Sequence, residues 1–146
     1  MTFVRLALVG LALCAACTHN TAAPSTTTTT TTTTTPVTTP TTSEVFAASL
    51  NVGSAAFYSF NIVANGTVNV TLNSVNGTGV PATVQLGLGI GTPGGTDCVT
   101  QASVTAGAGT APQLTGTYGP GLFCVRVYDV GNLSNTASFR VTIAHS

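Results

Sequence analysis

The feature that most constrains this fold is a two-residue alternation of apolar and polar side chains, which recurs from residue 44 onward. Successive side chains of a β-strand point to opposite faces, so this period predicts strands with one buried face and one face in water. No segment in this range shows the 3.6-residue spacing of an amphipathic helix. Clear alternation occupies residues 56–62, 67–73, 83–90, 123–128 and 139–143, and weaker strand candidates lie at 45–52, 99–105 and 113–117.

Turn residues separate these runs and indicate an all-β domain. Gly, Asn and Pro punctuate the range, and their backbone preferences favour turns. Asn65-Gly66 lies between two alternating runs, a pattern typical of a tight hairpin, so we expect the strands on either side to pair with each other. Seven or eight short strands in about 100 residues predict an antiparallel β-sandwich or a jelly-roll-like domain.

Charged residues are almost absent, and this narrows the functions that the chain can have. The sequence contains three basic and three acidic residues, with no lysine. Nucleic-acid binding needs clustered Lys and Arg to neutralise phosphates, so we expect no nucleic acid among the partners. Few acids and bases remain for catalysis. We therefore expect a protein that is not an enzyme and that uses no cofactor.

Two possible functional motifs, a dinucleotide-binding fingerprint and a Ser-His-Asp triad, can be considered, but their sequence context argues against both. Gly89-x-Gly91-x-x-Gly94 matches the spacing of a dinucleotide-binding fingerprint. That fingerprint opens a helix, whereas Pro93 and two glycines follow here, so we interpret the motif as a glycine-rich hairpin connection. A Ser-His-Asp triad would have to use His145, in a terminal segment that we expect to fray.

The first sixteen residues have the layout of a secretory signal peptide. Arg5 precedes an uncharged stretch of apolar or small residues from Leu6 to Ala16. Polar residues then end the stretch before the ~20 residues that a membrane-spanning helix needs. The two alanines before Cys17 resemble the bacterial lipobox, in which the signal is cut just before a cysteine that carries a diacylglyceryl group. The resemblance implies that residues 1–16 are removed and that Cys17 is the lipid anchor.

Two alternatives remain open at this end of the sequence. Cys14 is a second cysteine for lipid attachment, although bulky Leu13 precedes it. Ordinary signal cleavage near Ala16 or Ala23 would instead give a freely secreted protein. In bacterial lipoproteins an Asp after the modified cysteine often marks retention in the inner membrane, so Thr18 favours the outer membrane of the cell envelope.

Residues 17–43 comprise the anchor Cys17 and a linker, residues 18–43, that contains little besides Thr, Pro, Ala and Ser. Ten consecutive threonines, Thr26–Thr35, form its centre. Because hardly any large apolar side chain occurs in it, burial cannot offset the entropy of ordering, and we expect a disordered spacer. Tracts of this composition can also be O-glycosylated stalks.

The cysteines of the C-terminal region, Cys98 and Cys124, predict a disulfide, since an even pair in an exported chain is typically oxidised. Cys124 lies between Phe123 and Val125 in an alternating run, so it should point away from the apolar face. Its partner must then come from a segment that lies over the opposite face, and Cys98 follows a glycine-rich stretch. The alternative is that Cys124 is a small buried residue with no partner.

A few polar and aromatic side chains are candidates for binding. Arg126 and Tyr128 share one face of a strand, and together with Tyr118 they form the candidate binding patch. The alternative is a solvated sheet face without a ligand. Asp97 and Asp129 are too few for calcium, which takes six to eight oxygens, and we predict no metal site. Asp129 is expected to form a turn after the preceding strand.

Two segments resemble bacterial pre-peptidase C-terminal domains. One runs from Phe57 through Asn65-Gly66 to Leu72, and the other runs from Gly119 to Tyr128, with glycines before an aromatic residue and a Val-x-Val strand. The resemblance covers 44–146 and implies a β-sandwich that is appended to secreted hydrolases and is not itself catalytic. Many members carry an Asp-Leu-Asp strand where this chain has Val84–Leu88 without an acid, so the ligand role of those acids does not carry over.

These patterns lead to one main hypothesis and one alternative. The main hypothesis is a non-enzymatic lipoprotein of the cell envelope, in which a membrane-tethered β-sandwich at 44–146 binds or spaces something outside the inner membrane. The alternative is an accessory module that binds carbohydrate or protein beside a secreted hydrolase. Besides the membrane, a glycan or an envelope protein is the expected partner.

Overall fold

The computed structural model describes residues Thr39 to Ser146. The predicted signal peptide at 1–16, the anchor Cys17 and residues 18–38 of the linker lie outside the described residues. Over the part of the chain that is described, no helix is long and apolar enough to cross a membrane.

Between Thr39 and Ser146 the chain forms eight β-strands and no helix, as the alternation predicts. They are β1 (Thr42–Leu50), β2 (Ala55–Ile62), β3 (Gly66–Asn76), β4 (Gln85–Gly94), β5 (Asp97–Gly107), β6 (Leu114–Tyr118), β7 (Gly121–Tyr128) and β8 (Ala137–His145). The three weaker strand candidates correspond to β1, β5 and β6. The first strand begins two residues before the expected start of the domain at residue 44.

Two four-stranded antiparallel sheets pack against each other, which confirms the predicted β-sandwich. The first sheet has the strand order β1-β8-β3-β6, and the second sheet has the order β2-β7-β4-β5. The edge strands are therefore β1 and β6 in the first sheet and β2 and β5 in the second. Of the strands that follow each other directly in the sequence, β4 and β5 form a hairpin.

The expected hairpin around Asn65-Gly66 is wrong. β2 pairs with β7 in the second sheet, whereas β3 pairs with β6 and β8 in the first sheet. Residues 63–65 therefore carry the chain from one sheet to the other. The tight hairpin that Asn-Gly favours needs a positive φ at the glycine, and Gly66 is not among the glycines with that conformation. It is instead the buried first residue of β3.

The inward faces of both sheets bury the alternating apolar side chains. In the first sheet, β3 and β8 contribute Val68, Val70, Leu72, Val141 and Ile143 to the core. In the second sheet, β4 and β7 contribute Leu86, Leu88, Ile90, Val125 and Val127. Full burial of one such side chain stabilises the folded state by ~1.5–3 kcal/mol relative to its exposure, so this shared core holds the two sheets together.

The two ends of the sandwich carry different connections. Thr42 pairs with His145, so β1 begins where β8 ends. This near end also holds the 63–65 crossing and the turn between β4 and β5. The connection between β6 and β7 at 119–120 also lies at the near end, and the far end carries the other loops, at 51–54, 77–84, 108–113 and 129–136.

Candidate functional site

A bent hairpin shapes the outer face of the second sheet. β4 lies between β5 and β7, and two strands separated by a third are ordinarily about 9.5 Å apart. The Cα atoms of Cys98 in β5 and Cys124 in β7 are nevertheless 5.9 Å apart. A bulge at Gln101 interrupts the β4–β5 pairing. The hairpin tip, defined here as residues 91–100, therefore bends over β4 towards β7.

Glycine at position 91 makes this bend possible. A Cβ atom there would lie 1.8 Å from the carbonyl oxygen of Val99, so the backbone of β5 occupies the space that a side chain would need. The methyl group of Thr100 likewise occupies the space beside Gly89, where a Cβ atom would lie 2.4 Å from it. The glycine motif thus lies within β4, a strand of the hairpin, and the expectation that it forms the hairpin connection is wrong.

The predicted disulfide between Cys98 and Cys124 is confirmed, with an S–S distance of 2.04 Å. Val125 and Val127, on the other face of β7, lie in the core, so Cys124 points away from the core as expected. It is nevertheless fully buried, because the hairpin tip covers it. The disulfide therefore fastens the tip to the outer face of the second sheet.

The hairpin tip places Asp97 beside Arg126 on this outer face. Arg126 Nε lies 3.2 Å from Asp97 Oδ1, in an ion pair whose geometry does not make a hydrogen bond. Asp97 Oδ1 also accepts a hydrogen bond from the backbone N–H of Cys98 at 2.7 Å, which fixes the carboxylate. The guanidinium carbon of Arg126 lies 5.2 Å from the centre of the Tyr128 ring, a cation–π distance.

Two aromatic side chains flank Arg126. Phe57 of β2 lies directly opposite it in the pairing and is half-buried. The ring of Tyr128 covers Gly87, where a Cβ would lie 2.2 Å from the ring. We call Phe57, Asp97, Arg126 and Tyr128 together the Arg126 face. Its rings can stack on the apolar side of a ligand, while its ion pair can exchange hydrogen bonds with polar groups.

Tyr118 does not join this group. It ends β6, at the edge of the first sheet, and its ring centre lies 5.2 Å from the ring of Phe123. Phe123 packs against the core, on the opposite side of β7 from Arg126. Burial raises the pKa of the Tyr118 phenol. Of the three predicted patch residues, the structure therefore brings together Arg126 and Tyr128 only.

Asp129 organises loops at the far end, in agreement with the predicted turn. Its Oδ2 accepts a hydrogen bond from the N–H of Gly53 at 2.8 Å. Its Oδ1 accepts hydrogen bonds from the N–H groups of Gly131, Asn132 and Leu133 at 2.8, 2.9 and 3.1 Å. These four hydrogen bonds, of which the one from Gly53 has the largest effect, hold the pKa of the Asp129 carboxyl below its ordinary value. Partial desolvation acts in the opposite direction but does not outweigh them.

A polar cluster that sequence reasoning missed joins the two sheets at the near end. His145 Nε2 lies 2.9 Å from Glu44 Oε1, and the Tyr58 hydroxyl donates a hydrogen bond to the other oxygen of Glu44. The His145 ring centre lies 5.0 Å from that of Phe60. The side chain of His145 is 4% exposed. The expectation that this terminal segment frays is therefore wrong.

Hydrogen bonds hold this cluster in place and shift its pKa values. Burial raises the pKa of the Glu44 carboxyl, but the hydrogen bonds from Tyr58 and His145, with the attraction of His145, bring the net pKa below its ordinary value of 4.5. The hydrogen bond to Glu44 is the main reason that the pKa of Tyr58 is raised, and burial raises it further. The Ser146 hydroxyl donates to the carbonyl oxygen of Ala64 at 2.8 Å, which ties the segment after β8 to the 63–65 crossing.

Neither polar group has the composition of a metal site. Within residues 39–146, no three His, Cys, Asp or Glu side chains lie where they could hold one ion together. The Glu44–His145 pair and the Asp97 carboxylate instead contact protein groups. Among the described residues, the Arg126 face is the candidate site for recognition.

No known protein family matches the chain, and no curated protein matches it.

Proposed function

We propose that this protein is a non-enzymatic lipoprotein of the cell envelope, in which a lipid on Cys17 tethers the β-sandwich and residues 18–43 space it from the membrane. The observation that carries the proposal is where the folded domain begins. β1 starts at Thr42 and so includes the last two residues of the Thr- and Pro-rich stretch. The N–H of Thr41 already donates to the carbonyl oxygen of His145 at 3.1 Å. In this proposal the predicted signal, Cys17 and the predicted spacer precede the folded module in the order that a lipoprotein needs.

The physical chemistry of a lipid anchor suits this order. Each buried acyl CH₂ contributes ~0.8 kcal/mol, and stable anchoring takes two or more chains, which a lipoprotein cysteine would carry. Residues 18–43 would reach ~80 Å if fully extended and on the order of 30 Å as a coil. Because the chain enters the sandwich at the near end, the far-end loops lie opposite the point of attachment.

The roles of the titratable side chains support binding or spacing over catalysis. Glu44 is held by His145, and Asp97 is held by Arg126 and a backbone N–H. Asp129 accepts four backbone hydrogen bonds. Acids that are fixed in such contacts stabilise the fold, whereas a general acid or base must exchange its proton with a substrate.

The experiment that tests the anchor is metabolic labelling with an alkyne-tagged fatty acid in cells that express the full chain. We expect label in the wild-type protein and in the control Cys14→Ser, and no label in Cys17→Ser. Label that persists in Cys17→Ser, or that disappears only in Cys14→Ser, would show that the lipid is not on Cys17.

The Arg126 face favours a second candidate, a carbohydrate-binding accessory module of a secreted hydrolase system. The C–H face of a sugar ring stacks on aromatic rings such as Phe57 and Tyr128, and its hydroxyls pair with an Arg–Asp pair. A glycan array tests this with the variant Tyr128→Ala and the matched control Tyr118→Phe. Tyr118 is a suitable control because it lies at the edge of the first sheet, away from the Arg126 face. Binding that is lost only in Tyr128→Ala supports a sugar site. Absence of binding by the wild type, or equal binding by all variants, contradicts it.

A further inference from the structure

We propose that the free edge of β5 is an interaction surface for a second copy of this chain, which pairs with it antiparallel about a two-fold axis at Val104. β5 is the outermost strand of the second sheet, and its pairing within residues 39–146 is with β4. Its outer edge therefore presents N–H and C=O groups that can pair with another strand. The inference depends neither on the lipid anchor nor on the Arg126 face.

β5 is the longest of the four edge strands, and it lacks the features that protect β1 and β6. β1 carries the inward-pointing Glu44, and an inward charge discourages edge pairing. β2 has eight residues and is shorter than β5. β6 has only five residues. β5 has 11 residues, with no proline and no charge after Asp97.

The regular part of β5 matches its own reversed sequence. The bulge at Gln101 separates the hairpin tip from the run Ala102-Ser103-Val104-Thr105-Ala106. Read backwards, this run is Ala-Thr-Val-Ser-Ala, which differs from the forward sequence only in that Ser and Thr change places. A two-fold axis at Val104 therefore places Ala opposite Ala, Ser opposite Thr and Val opposite Val. A two-fold interface needs such self-complementarity, because the same surface contributes from both sides.

The surroundings of this run agree with pairing. Ser103 and Thr105 are exposed on the outer face, where Ser–Thr pairs across strands can share hydrogen bonds. Ala102 and Val104 face inward and remain half-buried, so a second strand would cover them. Residues 98–125 contain no charged side chain, so no like charges meet near the axis. The two four-stranded second sheets would join into one continuous sheet.

The first test is sedimentation velocity of the full-length protein in detergent micelles over rising protein concentration. Ser103→Lys/Thr105→Lys places two pairs of like charges across the axis, and Ser103→Lys/Thr105→Glu replaces them with opposite charges of similar size. We expect the wild type and the Lys/Glu variant to dimerise, and the Lys/Lys variant to have a Kd at least about tenfold higher. The control Ser59→Lys/Asn61→Lys, exposed on β2, should associate as the wild type does.

Disulfide trapping supplies an independent readout of the register. Position 104 of one copy lies opposite position 104 of the other, within the ~4.4–6.8 Å Cα separation that a disulfide spans. Val104→Cys should therefore form a reducible dimer under oxidising conditions, and the control Val45→Cys on β1 should not. A monomeric wild type at all concentrations, unchanged dimerisation of the Lys/Lys variant, or failure of Val104→Cys to cross-link would overturn the proposal.

Discussion

Removal of the Cys98–Cys124 disulfide should destabilise the domain by about 3.5 kcal/mol. The two cysteines have a sequence separation of 26. In the chain-entropy treatment, opening a loop of this size returns about 12 cal/mol/K to the unfolded chain, or ~3.5 kcal/mol at 25 °C. For a domain of about 100 residues, this corresponds to a fall in Tm of roughly 15–25 °C.

The perturbation is the double variant Cys98→Ala/Cys124→Ala, which leaves no free thiol in the domain. Both positions are buried, so an apolar replacement exposes no polar group there. The hairpin tip at 91–100 loses the bond that holds it over β4, and Asp97 loses its fixed place beside Arg126. Amide hydrogen exchange should therefore accelerate in the tip more than in β3 and β8, whose pairing is untouched.

The assay is urea denaturation of the full-length proteins, followed by circular dichroism and extrapolated to water. Val99→Ala is the matched control, because it changes an exposed side chain of the same hairpin tip, leaves the disulfide intact and should leave the midpoint nearly unchanged. A destabilisation smaller than ~1 kcal/mol would refute the reasoning, because it would lie far below the loop-entropy value. Unchanged exchange in the tip would refute the claim that the disulfide holds it.

Four further perturbations test individual contacts. Because the pKa of Glu44 is depressed in the folded state, its contribution to stability is present above the ordinary value of 4.5 and is lost as pH falls through the folded value. The urea midpoint should therefore fall in acid, and Glu44→Gln should flatten that fall. Asp129→Asn has one accepting side-chain oxygen instead of two, so amide exchange at Gly53 should accelerate. Gly91→Ala should destabilise the domain by about 2 kcal/mol or more in the urea assay, because its Cβ meets backbone. Gly87→Ala should displace only the ring above it, and tyrosine fluorescence should change with little loss of stability.

The strands could be predicted because they depend on local alternation, and the disulfide could be predicted because the domain contains a single pair of cysteines. A strand with one buried face must alternate, and each alternating run coincides with a strand. The same alternation placed Cys124 on the face opposite Val125, which required a partner above the sheet. The bend that brings Cys98 there could not be foreseen, because it depends on the bulge at Gln101 and on how β5 packs over Gly91.

The sheet to which each strand belongs could not be predicted from the chain around it. Asn65-Gly66 is a local turn signal, but β2 and β3 each bury their apolar face against strands distant in the sequence. For the same reason Tyr118, close to Arg126 in the sequence, lies in the other sheet. Here tertiary packing prevails over local turn preference.

A signal for the near-end cluster was present in the sequence. Glu44 occupies the next inward position before Phe46, and His145 occupies the next inward position after Ile143. A titratable side chain on an apolar face indicates a buried partner, since an unpaired charge there is costly. Glu44 and His145 become each other's partners only because β1 pairs with β8. The sequence does not determine that pairing.

The most direct test of the tethered-module account is mass spectrometry of the N-terminal peptide of the protein isolated from cell membranes. The account predicts a mature chain that begins at Cys17 and carries a diacylglyceryl thioether on its sulfur. A chain that begins at Cys17 without lipid, that begins after Ala23, or that retains residues 1–16 would contradict the lipid anchor on which the proposed function depends.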